Sequence, residues 1–290
     1  MNPETTRQSM GGMVDDAPVV AFDDVNLHFD DVTALDHLSF EIKRGETCVV
    51  VGEAGSGKTM LLKTAVGLVR PDTGRIFLFG REITKLKENA LAEARARVGI
   101  LFQEGGLFDS LTIEENVGYP LLNVPGLTHN GAGSPEKVAE RVLKALRFVE
   151  LEQTLDKFPS ELSGGMRRRV GIARAVVTEP ELELYDSPTA GLDPITANNI
   201  IRLIIQERDL RNTATIMVTH RFQDGHMMAN FRYNPSSGRV EPSDGHHIES
   251  RASTKFMVMR GGKLVFEGSE VELCRSEDPY VQKFARPGSS

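Results

Sequence analysis

The sequence predicts an α/β fold built on a largely parallel β-sheet. Short, continuous apolar runs at residues 48–51, 97–102 and 215–219 are typical of strands that are buried on both faces. Segments with helical periodicity separate these runs. Alternating strands and helices of this kind favour parallel strands joined by crossover helices.

The first elements differ from this core. Residues 1–17 are polar, contain acids and glycines, and lack the basic-then-apolar order of an export signal, so we expect a disordered tail and no export. Three strand-like runs follow at 19–22, 25–29 and 38–42, broken by Asp, Asn and Gly. Such interrupted short runs predict an antiparallel β layer ahead of the parallel core.

The middle of the chain is predicted to be a mainly helical insertion, at about 105–178. Ser134 and Pro135 suit the N-cap and the first position of a helix. Apolar residues then recur at helical spacing and give this helix one apolar face: Val138, Val142, Ala145, Leu146 and Val149. A second irregular stretch, at about 230–253, is predicted to be a surface excursion before late strands at 256–259 and 263–266.

Composition excludes several classes of protein. Apolar residues are 40% and charged residues 26% of the 290, which is ordinary for a chain with a sizeable core. No run approaches the ~18–20 apolar residues that cross a bilayer. The formal charge of −7 gives no support to nucleic-acid binding. The two cysteines, Cys48 and Cys274, are too far apart for a disulfide framework or a cysteine zinc site, and a reducing compartment fits.

The strongest motif follows the first buried run and precedes a helical segment at 60–66. It fits the pattern G-x-x-x-x-G-K-[ST] and consists of Gly52, Glu53, Ala54, Gly55, Ser56, Gly57, Lys58 and Thr59, with Met60 next. Glycines in this context let backbone N–H groups surround phosphate oxygens at the positive end of a helix. Lys58 would reach the β- and γ-phosphates, and the Thr59 hydroxyl would bind Mg²⁺. The motif therefore predicts binding of a nucleoside triphosphate.

Four further features follow in order along the chain. Residues 162–166 (LSGGM) open a helix, residues 182–186 form a strand that ends in an acid, residues 191–194 (GLDP) come next, and His220 ends a strand. With the P-loop and Gln103, these features resemble the nucleotide-binding domain of ATP-binding-cassette (ABC) transporters over about residues 19–275. The resemblance implies a RecA-like P-loop NTPase core with an antiparallel β subdomain and an α-helical subdomain, within an ATPase domain at 18–275. Residues 276–290 would be a C-terminal tail.

In that family, two copies close head to tail around two ATP molecules. The resemblance implies that Ser163, Gly164 and Gly165 of one copy meet the γ-phosphate held by the other, as exposed N–H groups at a helix N-terminus can. It assigns the remaining roles as follows: Phe29 stacks on adenine, Gln103 senses Mg²⁺ and the γ-phosphate, Asp186 holds Mg²⁺, Asp193 crosses the dimer interface, and His220 contacts the γ-phosphate. For Phe29, simple core packing is the alternative. Arg167, Arg168 and Arg169 are expected to be solvated or to steer phosphate.

One departure from the family concerns hydrolysis. The residue after the strand acid is usually Glu, which orients or deprotonates the attacking water, and here it is Ser187. A serine hydroxyl cannot accept that proton, and general-base assistance contributes typically ~10²–10⁴-fold. Three explanations are open: a substitution that traps the ATP state, a natural slow ATPase in which His220 orients water, or another acid such as Glu104. We favour a natural ATPase of low to moderate rate.

Residues 103–121 resemble a narrower group, the ATPases that work with MCE proteins in Mla-type phospholipid transport, and the ending at 279–284 is also similar to theirs. This resemblance implies two copies of a permease, an MCE substrate-binding protein, in some systems a small STAS-domain protein, and a cytoplasmic position on the inner face of the inner membrane. Leu107 and Phe108 would be exposed contacts for the permease, and ordinary core packing is the alternative for both. The alternatives are an ATPase subunit of another ABC importer or exporter, and an ATP-binding module without hydrolysis. His226, His246 and His247 are expected to be loop residues and not metal ligands.

Overall fold

The structure is a computed structural model that describes residues 17–103, 105–123, 134–243 and 253–285. It contains two larger β-sheets, a separate β-hairpin, and helices that connect the strands of the central sheet. Among the described residues, no helix is long and apolar enough to cross a membrane.

The first sheet is antiparallel, as the broken strand pattern predicts. Its strands are β1 (Val20–Phe29), β2 (Val32–Ile42), β4 (Thr73–Leu78) and β5 (Arg81–Glu82), in the order β2-β1-β4-β5. Alternate side chains of β1 and β2 are buried, and Phe22 stacks on Phe40 across the pair with ring centres 4.6 Å apart. One face of this sheet therefore contributes to an apolar core.

The second sheet is the α/β core. Its strands are β3 (Thr47–Gly52), β6 (Val98–Leu101), β7 (Leu182–Asp186), β8 (Ala214–Val218), β11 (Thr254–Arg260) and β12 (Lys263–Gly268), in the order β12-β11-β3-β8-β7-β6. All neighbours pair in parallel except β12, which is antiparallel to β11. The prediction of a largely parallel sheet is confirmed.

Both faces of the central sheet are covered, which explains the uninterrupted apolar runs. Along β3, Val49 and Val51 belong to one apolar core, and Cys48 and Val50 belong to another on the opposite face. The helices are α1 (Lys58–Ala65), α2 (Glu88–Arg95), α3 (Ile113–Asn123), α4 (Pro135–Phe148), α5 (Gly164–Val176), α6 (Pro194–Arg211), α7 (Phe222–Asn230), α8 (Glu270–Arg275) and α9 (Pro279–Gln282). Helices α3 to α6 contribute to the first core, while α1 and the antiparallel sheet contribute to the second.

The segment predicted to be mainly helical contains α3, α4 and α5, which pack on one another. Helix α4 begins at Pro135, as the sequence indicates, but the side chain of Ser134 makes no capping hydrogen bond. The apolar face predicted for α4 is buried at Val138, Val142 and Leu146. The sequence therefore predicts the first residue of α4 correctly, although the capping hydrogen bond expected from Ser134 is not formed.

The stretch after α7 is more regular than its composition suggests. Residues 231–242 form a hairpin of β9 (Phe231–Asn234) and β10 (Arg239–Pro242), and Val240 is buried. The interpretation of this part as irregular was wrong, because a few apolar side chains in a polar segment are enough to pack the hairpin onto α6. His246 and His247 lie outside the described residues.

Candidate functional site

The predicted site residues gather at one edge of the central sheet. Because parallel strands end at the same edge, the residues that end or follow β3, β8, β7 and β6 lie there together. They are Gly52, His220, Asp186 and Gln103. His220 and Gln103 are exposed, as is required of groups that meet a ligand. Sheet order thus joins segments that are up to 168 positions apart in the sequence.

Two glycines of the P-loop are required by close packing. A Cβ on Gly57 would lie 2.3 Å from the carbonyl oxygen of Ala34, and the φ angle of Gly57 is +101°. A Cβ on Gly52 would lie 2.4 Å from the carbonyl oxygen of Met259. Any larger residue at either position would push the loop away from its neighbours, so the glycines set the course of the backbone.

Lys58 begins α1, and its ammonium group lies inside the loop. The Nζ atom donates to the carbonyl oxygens of Gly52 and Glu53, both at 2.8 Å, and to Ser56 Oγ at 3.3 Å. Burial lowers the pKa of Lys58, and the nearby Asp186 carboxylate opposes that shift. The Lys58 ammonium is already partly withdrawn from water and is held by uncharged groups. It can therefore exchange them for phosphate oxygens at little further cost in desolvation.

Asp186 accepts a hydroxyl hydrogen bond on each carboxylate oxygen. Thr59 Oγ1 donates to Oδ2 at 2.9 Å and Ser187 Oγ donates to Oδ1 at 3.2 Å. A hydroxyl oxygen beside a carboxylate is a donor set that fits Mg²⁺, which takes few protein ligands and completes its shell with water and phosphate oxygens. Among the described residues, no group of three or more His, Cys, Asp or Glu side chains could hold a metal ion by itself.

Ser187 lies in a sharp turn directly after β7. Its φ angle is +51°, and its N–H donates to the carbonyl oxygen of Val218 on the neighbouring strand at 2.9 Å. The side chain therefore starts from a fixed backbone position next to Asp186. Glu104, the acid considered as a substitute, lies outside the described residues.

A buried carboxylate that the sequence analysis missed connects two loops of the site. Asp224 on α7 accepts hydrogen bonds from Thr189 Oγ1 at 2.5 Å and from Thr219 Oγ1 at 2.7 Å. Burial raises the pKa of Asp224, and the two hydroxyl bonds oppose that shift. Thr189 follows Ser187 and Thr219 precedes His220, so Asp224 fixes the loops on which both residues lie. No local pattern indicates a bridge of this kind.

The LSGGM segment is a capped helix start, as predicted. Ser163 is the N-cap of α5, and its Oγ accepts the N–H of Met166 at 3.3 Å. A Cβ built on Gly164 meets nothing within 4 Å, so there is open space beside the first residue of α5. Gly164 and Gln103 line a cavity of about 550 Å³. None of the P-loop residues 52–60 lines this cavity, so the chain presents the two halves of the site to different spaces.

Asp193 is the N-cap of α6. Its Oδ1 accepts the N–H groups of Ile195 and Thr196, both at 3.0 Å, and these bonds lower the pKa of Asp193, the bond to Thr196 first. The prediction of an interface role is not excluded by capping, because Asp193 is fully exposed and the next residue but one, Ile195, is 76% exposed.

The three consecutive arginines of α5 differ in how far they are buried. Arg168 is buried and donates to the carbonyl oxygen of Ala190 at 3.2 Å. Arg167 donates to Leu162 O at 2.6 Å and Arg169 donates to Val149 O at 3.0 Å. The expectation of a solvated side chain was wrong for Arg168, which is buried and satisfies a backbone carbonyl. Arg167 and Arg169 are half-buried, and for these two the expectation stays a prediction.

Three further apolar residues have mixed outcomes. Phe29 ends β1 and is 47% exposed, which excludes simple core packing. Phe108 is 41% exposed, but Leu107 packs partly against the core, so only one of the two expected permease contacts is freely exposed. The expectation that His226 lies in a loop was wrong: it lies on α7, where its Nδ1 is 2.7 Å from Glu270 Oε1.

Comparison with known proteins places these features in a family. The sequence profile described as ABC transporter matches residues 35–190, more than half of the chain. Methionine import ATP-binding protein MetN of Carboxydothermus hydrogenoformans is 38% identical over 192 residues, which are 66% of this chain and 55% of that protein. Protein TRIGALACTOSYLDIACYLGLYCEROL 3, chloroplastic, of Arabidopsis thaliana is 32% identical over 279 residues, 90% of this chain and 72% of that protein. The chain thus spans little more than half of the methionine-import relative.

A solved structure of an ATP-binding cassette has the same fold as this chain. The dimeric ATP-binding cassette MJ0796, bound to ADP and Pi in a post-hydrolysis state, superposes with a TM-score of 0.70 at 26% identity. The match covers 86% of this chain and 98% of the cassette. The P-loop, the strand acid and the LSGGM segment all lie within residues 35–190, which the family profile matches, and the chain therefore belongs to the ABC transporter family, whose P-loop domain hydrolyses ATP.

Proposed function

We propose that this chain is the ATPase subunit of an ABC transporter that moves phospholipid between the inner and outer membranes. Two copies would close head to tail around two MgATP molecules, each held by the P-loop of one copy and the LSGGM helix of the other. The binding of MgATP is supported most directly by the cluster of Lys58, Thr59 and Asp186 at one sheet edge. The separate cavity at Gly164 supports a second copy, since one chain alone does not enclose the ligand.

Each site residue has a role in binding. Phe29 stacks on adenine, and residues 52–60 surround the phosphates through their N–H groups. Thr59 and Asp186 would hold Mg²⁺, with Gln103 nearby; the ion, when bound, neutralises charge on the β- and γ-phosphates. Ser163, Gly164 and Gly165 of the second copy donate to the γ-phosphate, and Asp193 lies at the interface between copies. Lys58 moves from the loop carbonyls to the phosphate oxygens.

Hydrolysis needs a water molecule in line with the γ-phosphate. His220 can orient this water, because it follows β8 at the same edge and its loop is fixed through Thr219 and Asp224. Ser187 can donate a hydrogen bond but cannot take the proton from water at neutral pH. We therefore propose slow to moderate turnover, with closure of the dimer unaffected by this residue.

The lipid cargo is supported by two observations. Residues 103–121 resemble the MCE-associated ATPases, and the Arabidopsis relative carries the name of a glycerolipid. The segment that follows Gln103 in the sequence exposes three large apolar side chains, those of Phe108, Tyr119 and Leu122. The ring centres of Phe108 and Tyr119 are 4.7 Å apart. We propose that this surface receives a permease, two copies of which work with an MCE protein and, in some assemblies, a small STAS-domain protein. The chain would then lie in the cytoplasm, on the inner face of the inner membrane.

A second candidate is methionine import. It is favoured by the name of the Carboxydothermus relative, which is the more similar of the two in percentage identity. The nucleotide site would be the same in both cases, and only the permease and the cargo would differ.

Two measurements test the proposal. Lys58→Ala should abolish MgATP binding and ATP-driven pairing of the purified chain, and unchanged affinity would contradict the nucleotide site. The complex purified with its own permease and reconstituted in vesicles should then transfer a fluorescent phospholipid in an ATP-dependent manner. An MCE protein identified by mass spectrometry in that complex supports the lipid proposal; ATP-driven methionine uptake without phospholipid transfer would replace it with the second candidate.

A further inference from the structure

The P-loop leaves the central sheet where two neighbouring strands end. Strands β3 and β11 pair in parallel, with Gly52 opposite Met259. Gly52 lies so close to Met259 that a Cβ would be 2.4 Å from its carbonyl oxygen. Glu53 is the next residue and opens the loop. A group that holds both Glu53 and Met259 therefore fixes the point from which the loop starts.

The hydroxyl of Tyr280 is such a group. It accepts the N–H of Glu53 at 3.3 Å and donates to the carbonyl oxygen of Met259 at 2.9 Å. Tyr280 is only 7% exposed, so water competes poorly for either bond. The two bonds use the hydroxyl both as acceptor and as donor, and they join a P-loop amide to the adjacent strand.

Tyr280 is itself held firmly by the short helix α9. Its N–H donates to Oδ1 of the N-cap residue Asp278 at 2.7 Å, and its ring meets Phe284 edge to face at 5.3 Å. The following residue, Val281, is buried in the core. The phenol is therefore positioned by the packing of α9 and not by the P-loop that it contacts.

A second, weaker contact joins the same two segments. Lys283 Nζ lies 2.9 Å from Glu53 Oε1, and it also lies 5.3 Å from the centre of the Tyr280 ring. Both charged side chains of this pair are more than half exposed, so the ion pair contributes little by itself. The buried phenol is the stronger of the two connections.

We propose that Tyr280 is a positioning residue for the P-loop. By engaging the N–H of Glu53, it fixes the first residue of the loop, so that the later N–H groups and Lys58 are already arranged for phosphate. The residue acts through Glu53 and the backbone and not by touching the nucleotide. The inference rests on the proposed nucleotide site and assigns a role in it to the C-terminal helix.

The test uses Tyr280→Phe in the full chain, which removes the hydroxyl and keeps the ring. The dissociation constant for MgATP should rise about three- to tenfold, as expected for the loss of one hydrogen bond that orders the site. In the nucleotide-free protein, hydrogen–deuterium exchange should become faster in a peptide covering residues 50–60. The KM for ATP should rise in the same proportion as the dissociation constant, while kcat changes less than twofold.

Two controls separate positioning from general stability. Tyr233→Phe makes the same chemical change on β9, away from the P-loop, and should leave the affinity for MgATP unchanged; Lys283→Gln should change it less than Tyr280→Phe. Equal affinity and equal exchange in Tyr280→Phe and the wild type would overturn the inference, as would faster exchange spread uniformly over all peptides. A wild-type chain that binds no MgATP would instead overturn the proposed nucleotide site.

Discussion

The acid that ends β7 and the serine that follows it are the two residues on which the proposed rate of hydrolysis depends. Asp186 is supported by hydroxyl groups on both carboxylate oxygens, one of them from Ser187. Ser187 has a φ angle of +51°, and its N–H is tied to Val218. The backbone at position 187 is thus fixed next to Asp186, and a longer acidic side chain would start from the same place.

Ser187→Glu should raise the ATPase rate more than tenfold, because it adds a group that can accept a proton from water. Phosphate release by the complex with its permease is the measurement. The matched control is Ser187→Gln, which has the same length and no carboxylate and should stay near the wild-type rate. An unchanged rate in Ser187→Glu would show that the missing base does not limit turnover; a wild type with no turnover at all would identify a non-hydrolysing ATP-binding module.

Strand β7 also carries a carboxylate that plays no part in binding. Glu183 is completely buried, and its Oε2 accepts the Tyr185 hydroxyl at 2.8 Å. Burial, together with the nearby Glu207 carboxylate, raises the pKa of Glu183 to about 8, against the opposing effects of the Tyr185 bond and of Arg211 and Arg208. We therefore expect the stability of the strand that carries Asp186 to depend on pH.

The direction in which the free energy of unfolding changes with pH follows from the number of protons that the folded and unfolded states bind. Between pH 4.5 and about 8 the folded state holds a proton on Glu183 that the unfolded chain has released. The free energy of unfolding contributed by this group is fully present below the lower value and falls as pH rises through the higher one. Glu183→Gln cannot ionise, so its stability should fall less between pH 5 and pH 8 than that of the wild type.

Urea unfolding at several pH values measures this difference. Glu140→Gln, which removes an exposed carboxylate on α4, is the control and should follow the wild-type curve. Parallel curves for wild type and Glu183→Gln would show that Glu183 does not bind the additional proton.

At the scale of the whole molecule, a buried arginine and the aspartate beside it join α6 to α7 and to the hairpin. Arg208 is 1% exposed; it contacts Asp209 Oδ1 at 2.7 Å and donates to the carbonyl oxygens of Met228 at 2.7 Å and Phe231 at 3.1 Å. Asp209 Oδ2 in turn accepts the N–H of Tyr233 at 2.8 Å. Arg208 therefore connects three elements, α6, α7 and β9, together with Arg232, which donates to the same two carbonyl oxygens.

Arg208→Met should lower the free energy of unfolding by about 1–3 kcal/mol, because the partly buried Asp209 carboxylate loses its charged partner, while the carbonyl oxygens of Met228 and Phe231 keep only their bonds from other side chains. Arg202→Met is the comparison: this exposed arginine on the same helix makes one bond, to Val240 O at 2.9 Å, and its loss should cost about 0.5–1.5 kcal/mol. Equal losses in the two variants, measured by urea unfolding, would contradict the assigned role of Arg208.

Much of the fold is encoded locally. The two-sided burial of β3 follows from a run of apolar residues. Helix α4 starts at Pro135, whose fixed φ angle suits the first helical position, and α5 starts at the cap made by Ser163. Each of these features depends on residues within a few positions of one another. The P-loop was predicted for the same reason, since its glycines, Lys58 and Thr59 lie in one short segment.

What the sequence by itself determined was the kind of protein and the phosphate-binding half of its site. Tertiary structure decided which distant groups support that half: the bond from Tyr280 to Glu53 spans 227 positions, and that from Thr189 to Asp224 spans 35. The solvation of Arg168 and the pKa of Glu183 were decided there too. The physical reason is that a buried hydrogen bond or a desolvated charge depends on neighbours brought together by strand order, and these leave no periodic pattern in the chain.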